Sequence, residues 1–280
     1  VGRAPNDNEA LDLPDWLIPL WRDSLADQAN EVAMRMRERA PVWLRANPLR
    51  GNMDNLAQAL AEDGIEVRPH PDLPTALQVT AGQRRVAQGR AYREGLIELQ
   101  DLSPQLAGAA LPSTGTVLDY CAGGGGKALA LASRGAGPIT AHDADFSRMK
   151  DLPTRATRAG TKIHLSRPGQ IHGSYDLVVA DVPCSGTGTW RRTPDAKWRL
   201  RQEDLTRLKG VQAQILHEAA DFVKSGGHLA YMTCSLLDDE NGNQISNFLK
   251  DHNSFSRVLY RDYSPLNGSD GFHLTLLSRD

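Results

Sequence analysis

From residue 116 onward the chain alternates between short apolar runs and longer amphipathic ones. TVLDYCA, PITAHDA, TKIHLS, YDLVVADVP and HLAYMTCS are β-rich and bounded by Gly, Pro or polar positions, the pattern of buried strands. Between them KALALASR, FSRMKDLPTRATRA (interrupted at Pro153) and EDLTRLKGVQAQILHEAADFVK carry apolar residues at helical spacing. Strands alternating with helices predict a parallel, doubly wound α/β sheet. SFSRVLY and FHLTLLSR predict a closing antiparallel pair.

Upstream the pattern differs. DSLADQANEVAMRMRERA predicts a helix, VWLRAN a strand, NMDNLAQALAEDG a helix stopped by Gly64, and IEVRPH and ALQVT further strands. The expected division is a small α/β unit over 1–110 and a larger catalytic unit over 111–280, meeting near the turn text LPSTG at 111–115. A chain of 280 residues has room for both cores.

No run approaches the roughly 18 apolar residues of a membrane span. The N-terminus also lacks the basic-then-apolar plan of a signal peptide. A cytoplasmic monomer with no membrane partner is expected, and a first residue of Val1 rather than Met is what a piece of a longer chain would show. The three cysteines, Cys121, Cys184 and Cys234, form neither a disulfide framework nor a CxxC metal pair, so a reducing compartment and no metal are expected. The formal net charge of -2 exerts no global pull on nucleic acid, but 25 of the 32 basic residues are Arg. Guanidinium groups suit bidentate contacts to phosphate; an arginine-favouring codon bias explains the same count equally well.

LDYCAGGGGKALALA, at 118–132, sets four consecutive glycines between a strand and a helix. Glycines let the backbone turn sharply and approach a ligand, and the helix N–H groups face its negative end. The residues expected to line that ligand are Cys121, Ala122, Gly123, Gly124, Gly125, Gly126 and Lys127. This is not a triphosphate loop, which needs Gly where Cys121 stands and Ser or Thr where Ala128 stands. Asp143 ends the next strand, placed to hold two ribose hydroxyls. A helix N-cap role competes for it, and Asp145 is an equally good cap. Loop and acid together suggest an adenosine-containing cofactor without a triphosphate, and S-adenosyl-L-methionine (SAM) fits.

YDLVVADVPC and HLAYMTCS each place a cysteine, Cys184 and Cys234, just past a strand. Ligands of open parallel sheets bind beyond the carboxyl ends of the strands, so both thiols face the cofactor loop. A lone free cysteine is usually a small buried filler. Two at equivalent strand ends, one following Asp-x-Pro, point to chemistry instead.

CAGGGGK, DVPCSGTGTWRRTPDAKW and TCSLLDDENGNQI resemble the signatures of the Sun/Fmu (RsmB-like) and NOL/NOP family of RNA cytosine-5 methyltransferases. WLRAN at 43–47, ELQDLSPQLA at 98–107 and the terminal GSDGFHLTLL are similar to family text as well, so the resemblance runs from about residue 13 onward. It implies a Rossmann-like class I SAM-dependent methyltransferase domain with an N-terminal RRM-like subdomain that presents RNA. Ribosomal RNA (16S-like) is the implied substrate, with tRNA as the alternative.

Carbon 5 of cytosine is a poor nucleophile, so a thiolate must first add at carbon 6 and make carbon 5 reactive. An acid must stabilise the adduct at ring nitrogen 3, and a base must then take the carbon-5 proton. The resemblance assigns attack to Cys234 and product release to Cys184. Asp181 is the candidate acid, which also borders the cofactor, and Lys127 lies close to both cofactor and base.

Residues 190–210 hold seven cationic against three anionic side chains. Arg191, Arg192 and Lys197 are expected to contact RNA phosphates, and Trp190 or Trp198 to stack on a base, although a core role suits each better. Arg84, Arg85, Arg90 and Arg93 form a second basic cluster near the domain junction. Two departures from the family stand out. Gly123 to Lys127 and Ala128 replace Ala-Pro-Gly-Gly-Lys-Thr, and the third strand ends in HLSR, with Leu165 or Ser166 where an acid is usual. The second motivates a rival reading, an RNA-binding protein that has lost turnover.

Overall fold

The computed structural model describes residues 10–113 and 115–280; residues 1–9 and Thr114, which falls within the turn expected at 111–115, lie outside the described residues. The single helix predicted near the N-terminus is two, α1 (Ile18–Leu25) and α2 (Ala29–Arg35), because the backbone leaves helical space at Ala26, φ 46°. Their apolar faces do not serve the small unit. Leu17, Ile18, Trp21, Val32 and Ala33 share a core with Trp190, Leu205, Leu236 and Leu237. A boundary at 110 therefore separates these helices from the unit on which they pack.

The small sheet is built from β1 (Trp43–Ala46), α3 (Met53–Glu62), β2 (Glu66–His70), β3 (Leu73–Ala81), α4 (Arg90–Arg93) and β4 (Ile97–Leu99). Asn52 caps α3 by accepting from the Asn55 N–H at 2.9 Å, and Gly64 leaves it at φ 65°. The strands are antiparallel in the order β2-β3-β1-β4. For a βαββαβ chain this is the split, ferredoxin-like arrangement expected as RRM-like. Leu56, Ala59 and Leu60 of α3 and Ala91 of α4 pack on Leu44, Leu77, Val79 and Ile97.

After α5 (Leu102–Ala109) come β5 (Val117–Asp119), α6 (Gly126–Ser133), β6 (Ile139–His142), α7 (Leu152–Ala159), β7 (His164–Ser166) and β8 (Tyr175–Asp181). The chain continues through α8 (Ala196–Arg199), α9 (Gln202–Ala220), β9 (Val223–Thr233), α10 (Gly242–Asp251), β10 (Phe255–Tyr263) and β11 (Phe272–Arg279). Pro153 does not interrupt a helix: it sits in the first turn of α7, where the missing N–H costs no hydrogen bond.

The seven strands run β10-β11-β9-β8-β5-β6-β7, parallel from β7 through β9 and antiparallel on both sides of β11. Alternate residues of β8 and β9 feed two cores. Val178, Ala180, Leu229 and Tyr231 join Leu216 and Ile245, while Leu177, Val179, Ala230 and Met232 join Ala128 and Leu131. Strand order reverses between β5 and β8, which opens a crevice at their carboxyl ends. Among the described residues no helix is long and apolar enough to cross a membrane.

Candidate active site

The glycine loop is pinned at both ends. Asp119, at the end of β5, accepts from the Ala128 N–H at 3.0 Å and so fixes the start of α6 against the strand. Asp143 accepts from the Gly123 N–H at 2.9 Å and from the Asp145 N–H at 3.0 Å, with Arg148 at 3.3 Å. Asp143 therefore braces the loop, while Asp145 takes the cap by accepting from Ser147. Gly125 stands at φ 81°, and a Cβ there would lie 2.1 Å from Leu152, so only glycine closes this turn.

The N–H groups of Gly124, Gly126 and Lys127 have no acceptor among the described residues. Open space lies where a Gly126 Cβ would project. Free donors on a helix N-terminus beside a buried carboxylate fit a cofactor carrying both a carboxylate and a ribose. At the end of the third strand, where the family usually carries an acid, Ser166 is buried and Leu165 packs on the core of Met149 and Leu152.

Parallel pairing of β8 with β9 sets Asp181 opposite Met232. The two cysteine loops therefore leave the sheet side by side, and the Cys184 and Cys234 sulfurs lie 3.2 Å apart. The Gly188 N–H donates to the Cys234 carbonyl at 2.9 Å, and the Gly271 N–H to the Gly188 carbonyl at 2.8 Å. A Cβ on Gly188 would lie 2.3 Å from the Gly271 oxygen, so this zip also needs glycine. Lys127 Nζ meets Asp181 Oδ2 at 2.5 Å and lies 5.1 Å from the centre of the Phe272 ring.

The electrostatics distinguish the thiols. The hydrogen bond from Cys184 holds the Cys234 thiol below its usual range against burial and Asp181, with Lys127 helping. The same bond, with burial, pushes Cys184 well up. The pair thus favours ionisation of Cys234 over that of Cys184. Burial works against the Lys127 charge, yet Asp181, with Asp119 and Cys234 adding to it, keeps the ammonium above its ordinary value. Cys121 is raised by burial and then by Asp119, Asp181 and Asp143, so it lines the loop as a neutral thiol.

Glu240 was not singled out from sequence. It follows Asp238 and Asp239, and a run of acids reads as a solvated face, yet it is 0% exposed. Its Oε1 accepts from the Ser185 N–H at 2.8 Å and from Gln212 at 2.9 Å. Its Oε2 accepts from Ser235 at 2.5 Å and from the Ser185 hydroxyl. One carboxylate thus ties the residue after Cys184 to the residue after Cys234.

The three expected RNA contacts all meet carboxylates within the chain. The Arg191 side chain is 2% exposed and donates to Asp270 at 2.6 Å. Arg192 pairs with the same Asp270 and with Asp101 at 2.7 Å, and Lys197 pairs with Asp12. These cations hold the loop to the 268–271 turn, the start of α5 and the N-terminal segment, because carboxylates from distant sequence come to meet them. Trp190 is buried parallel to Trp21 at 6.4 Å, whereas Trp198 is exposed.

Asp119 carries a pH-dependent consequence. Burial, with Asp181 adding to it, raises its carboxyl to about 7, and one oxygen has no partner. A carboxyl raised above its unfolded value of about 4 disfavours the fold as it ionises, so stability falls as pH rises from about 4 to about 7. Asp119→Asn keeps an acceptor for Ala128 without the charge. Its melting temperature relative to the parent is expected to be higher at pH 8 than at pH 5, by on the order of 5 °C in thermal scans. A difference independent of pH would contradict this.

The sheet with its single reversed strand β11, and the glycine loop at its switch point, define the class I methyltransferase fold. Residues 110–276 match the family described as 16S rRNA methyltransferase RsmB/F, and residues 13–85 match the RsmF/B-like ferredoxin-like domain. The chain belongs to the RsmB/F methyltransferase family.

It is 35% identical over 258 residues to ribosomal RNA small subunit methyltransferase B of Klebsiella pneumoniae (strain 342), covering 88% of this chain and 59% of that relative. With the protein of that name from Photorhabdus laumondii it shares 32% over 286 residues, covering 95% and 66%. The chain thus spans roughly three fifths to two thirds of the curated relatives' length. Among solved structures, PH0851 superposes with a TM-score of 0.89 at 29% identity, over 100% of this chain and 70% of that one. NSun6 from Pyrococcus horikoshii with SFG shares the fold, with a TM-score of 0.83 at 15% identity over 95% and 98%.

Proposed function

We propose that this chain is the catalytic part of a SAM-dependent RNA cytosine-5 methyltransferase acting on small-subunit ribosomal RNA. The observation that carries the reading is the thiol pair, Cys184 and Cys234, 3.2 Å apart at adjacent strand ends. The free N–H groups of the glycine loop would hold the SAM carboxylate and Asp143 its ribose. Bound there, SAM supplies an electrophilic methyl group.

The Cys234 thiolate adds to carbon 6 of a cytosine turned out of its stack, and the ring electrons move toward carbon 5. Asp181, held by Lys127, steadies ring nitrogen 3 as the adduct forms. Once carbon 5 carries the methyl group, a base takes its proton, the electron pair left behind expels the Cys234 sulfur, and Cys184 assists this release. An rRNA substrate goes with a cytoplasmic setting, and the relatives' names support it.

Incubation with methyl-labelled SAM and small-subunit rRNA, read by bisulfite sequencing, is expected to show 5-methylcytosine at a defined site. Methylation of tRNA transcripts alone would refute the substrate. No incorporation, with no heat of SAM binding at millimolar concentration, would favour the RNA-binding relic.

A further inference from the structure

The arginines of the 190s loop are tied to carboxylates, so the uncompensated cations stand elsewhere. At the junction of the two units, α7 faces the end of α4 across an open groove of about 870 Å³ bordered by Arg50, Arg93, Thr154 and Arg158. Arg50 Nε donates to the Arg158 carbonyl at 2.7 Å and its Nη2 to the Thr157 carbonyl at 2.5 Å. It caps the last turn of α7 and meets no carboxylate among the described residues.

Arg93 is exposed, and its side chain has no hydrogen bond or ion pair among the described residues. Arg158 lies over the Tyr92 ring at 4.1 Å and shares Glu98 with Arg155, one carboxylate between two guanidiniums. Glu94, the acid on the groove wall, is paired with Arg90 at 3.0 Å. Arg155, one turn before Arg158, also donates to the Gly124 carbonyl, so this wall continues into the cofactor loop.

We propose that this groove is a track for the phosphates of the substrate RNA, engaged by Arg50, Arg93 and Arg158. The inference rests on the RNA substrate proposed above. Its openness argues for a polyanion over a small free anion, which would be held by buried, convergent donors. Contributions from both units also explain why the small one matters: it supplies Arg50 and Arg93 to a surface whose other wall is α7.

The test is fluorescence anisotropy of the chain with a fluorescein-labelled fragment of small-subunit rRNA, across a KCl series. Arg93→Ala is expected to weaken binding about 3- to 10-fold near 0.1 M salt and to reduce the slope of log K against log salt by about 0.7 to 1. Arg93→Glu should weaken it further, while Arg261→Glu, an exposed reversal on β10 at the far sheet edge, serves as the control. SAM affinity, measured by calorimetry, should be the same in both reversals.

Equal effects of Arg93→Glu and Arg261→Glu on an RNA that the parent binds would overturn the groove and leave the proposed reaction standing. Loss of inorganic pyrophosphate binding without loss of RNA binding would assign the groove to a small anion and also overturn it. A parent chain that binds no RNA would remove the substrate reading and this inference together.

Discussion

Cys234→Ala is expected to abolish methyl transfer, by about 10⁴-fold or more, and with it any covalent complex with RNA. Nothing else in the crevice replaces it. Cys121 is held neutral by burial and three nearby acids, and Cys184 is raised by its bond to Cys234. Cys184→Ala should behave in the opposite way. Attack still occurs, release is impaired, and a species carrying labelled RNA should accumulate on a denaturing gel. Because the bond from Cys184 leads in lowering Cys234, adduct formation in this variant should also shift to higher pH. Normal turnover by Cys184→Ala together with activity in Cys234→Ala would sink the two-thiol assignment.

Glu240→Ala is the substitution expected to cost the most stability, about 3 kcal/mol or more in denaturant unfolding. It takes away an acceptor shared by the Ser185 N–H, two serine hydroxyls and the Gln212 amide, around a carboxylate that is fully buried. Glu240→Gln keeps the shape and one acceptor, so it should lose less stability. It should still lower kcat, since the loops bearing Cys184 and Cys234 are no longer tied through one carboxylate. A Glu240→Gln enzyme with unaltered kcat would reduce Glu240 to a packing role.

Much of this molecule is readable in one dimension because the relevant physics is local. Alternating β-rich and amphipathic runs specify the doubly wound sheet, four glycines specify a turn that side chains would block, and two strand-end cysteines specify a shared mouth. A residue's partners across the sequence are another matter. Arg191 and Arg192 read as free cations until Asp270, 79 residues on from Arg191, closes on them. Glu240 reads as solvated until Ser185 and Gln212 surround it.

The same distinction separates the two units. Local pattern places a helix before the small sheet, but only packing shows that α1 and α2 lie on Trp190 and Leu236 of the larger unit. The basic groove likewise exists in no segment, since Arg50, Arg93 and Arg158 meet only when the ferredoxin-like sheet docks on α7. Sequence by itself determined the elements, the crevice and the two nucleophilic candidates, because backbone preference and hydrophobic period act between near neighbours. Tertiary structure alone decided which charges remain free and which thiol ionises more readily, because both depend on burial and on groups brought together from distant parts of the chain.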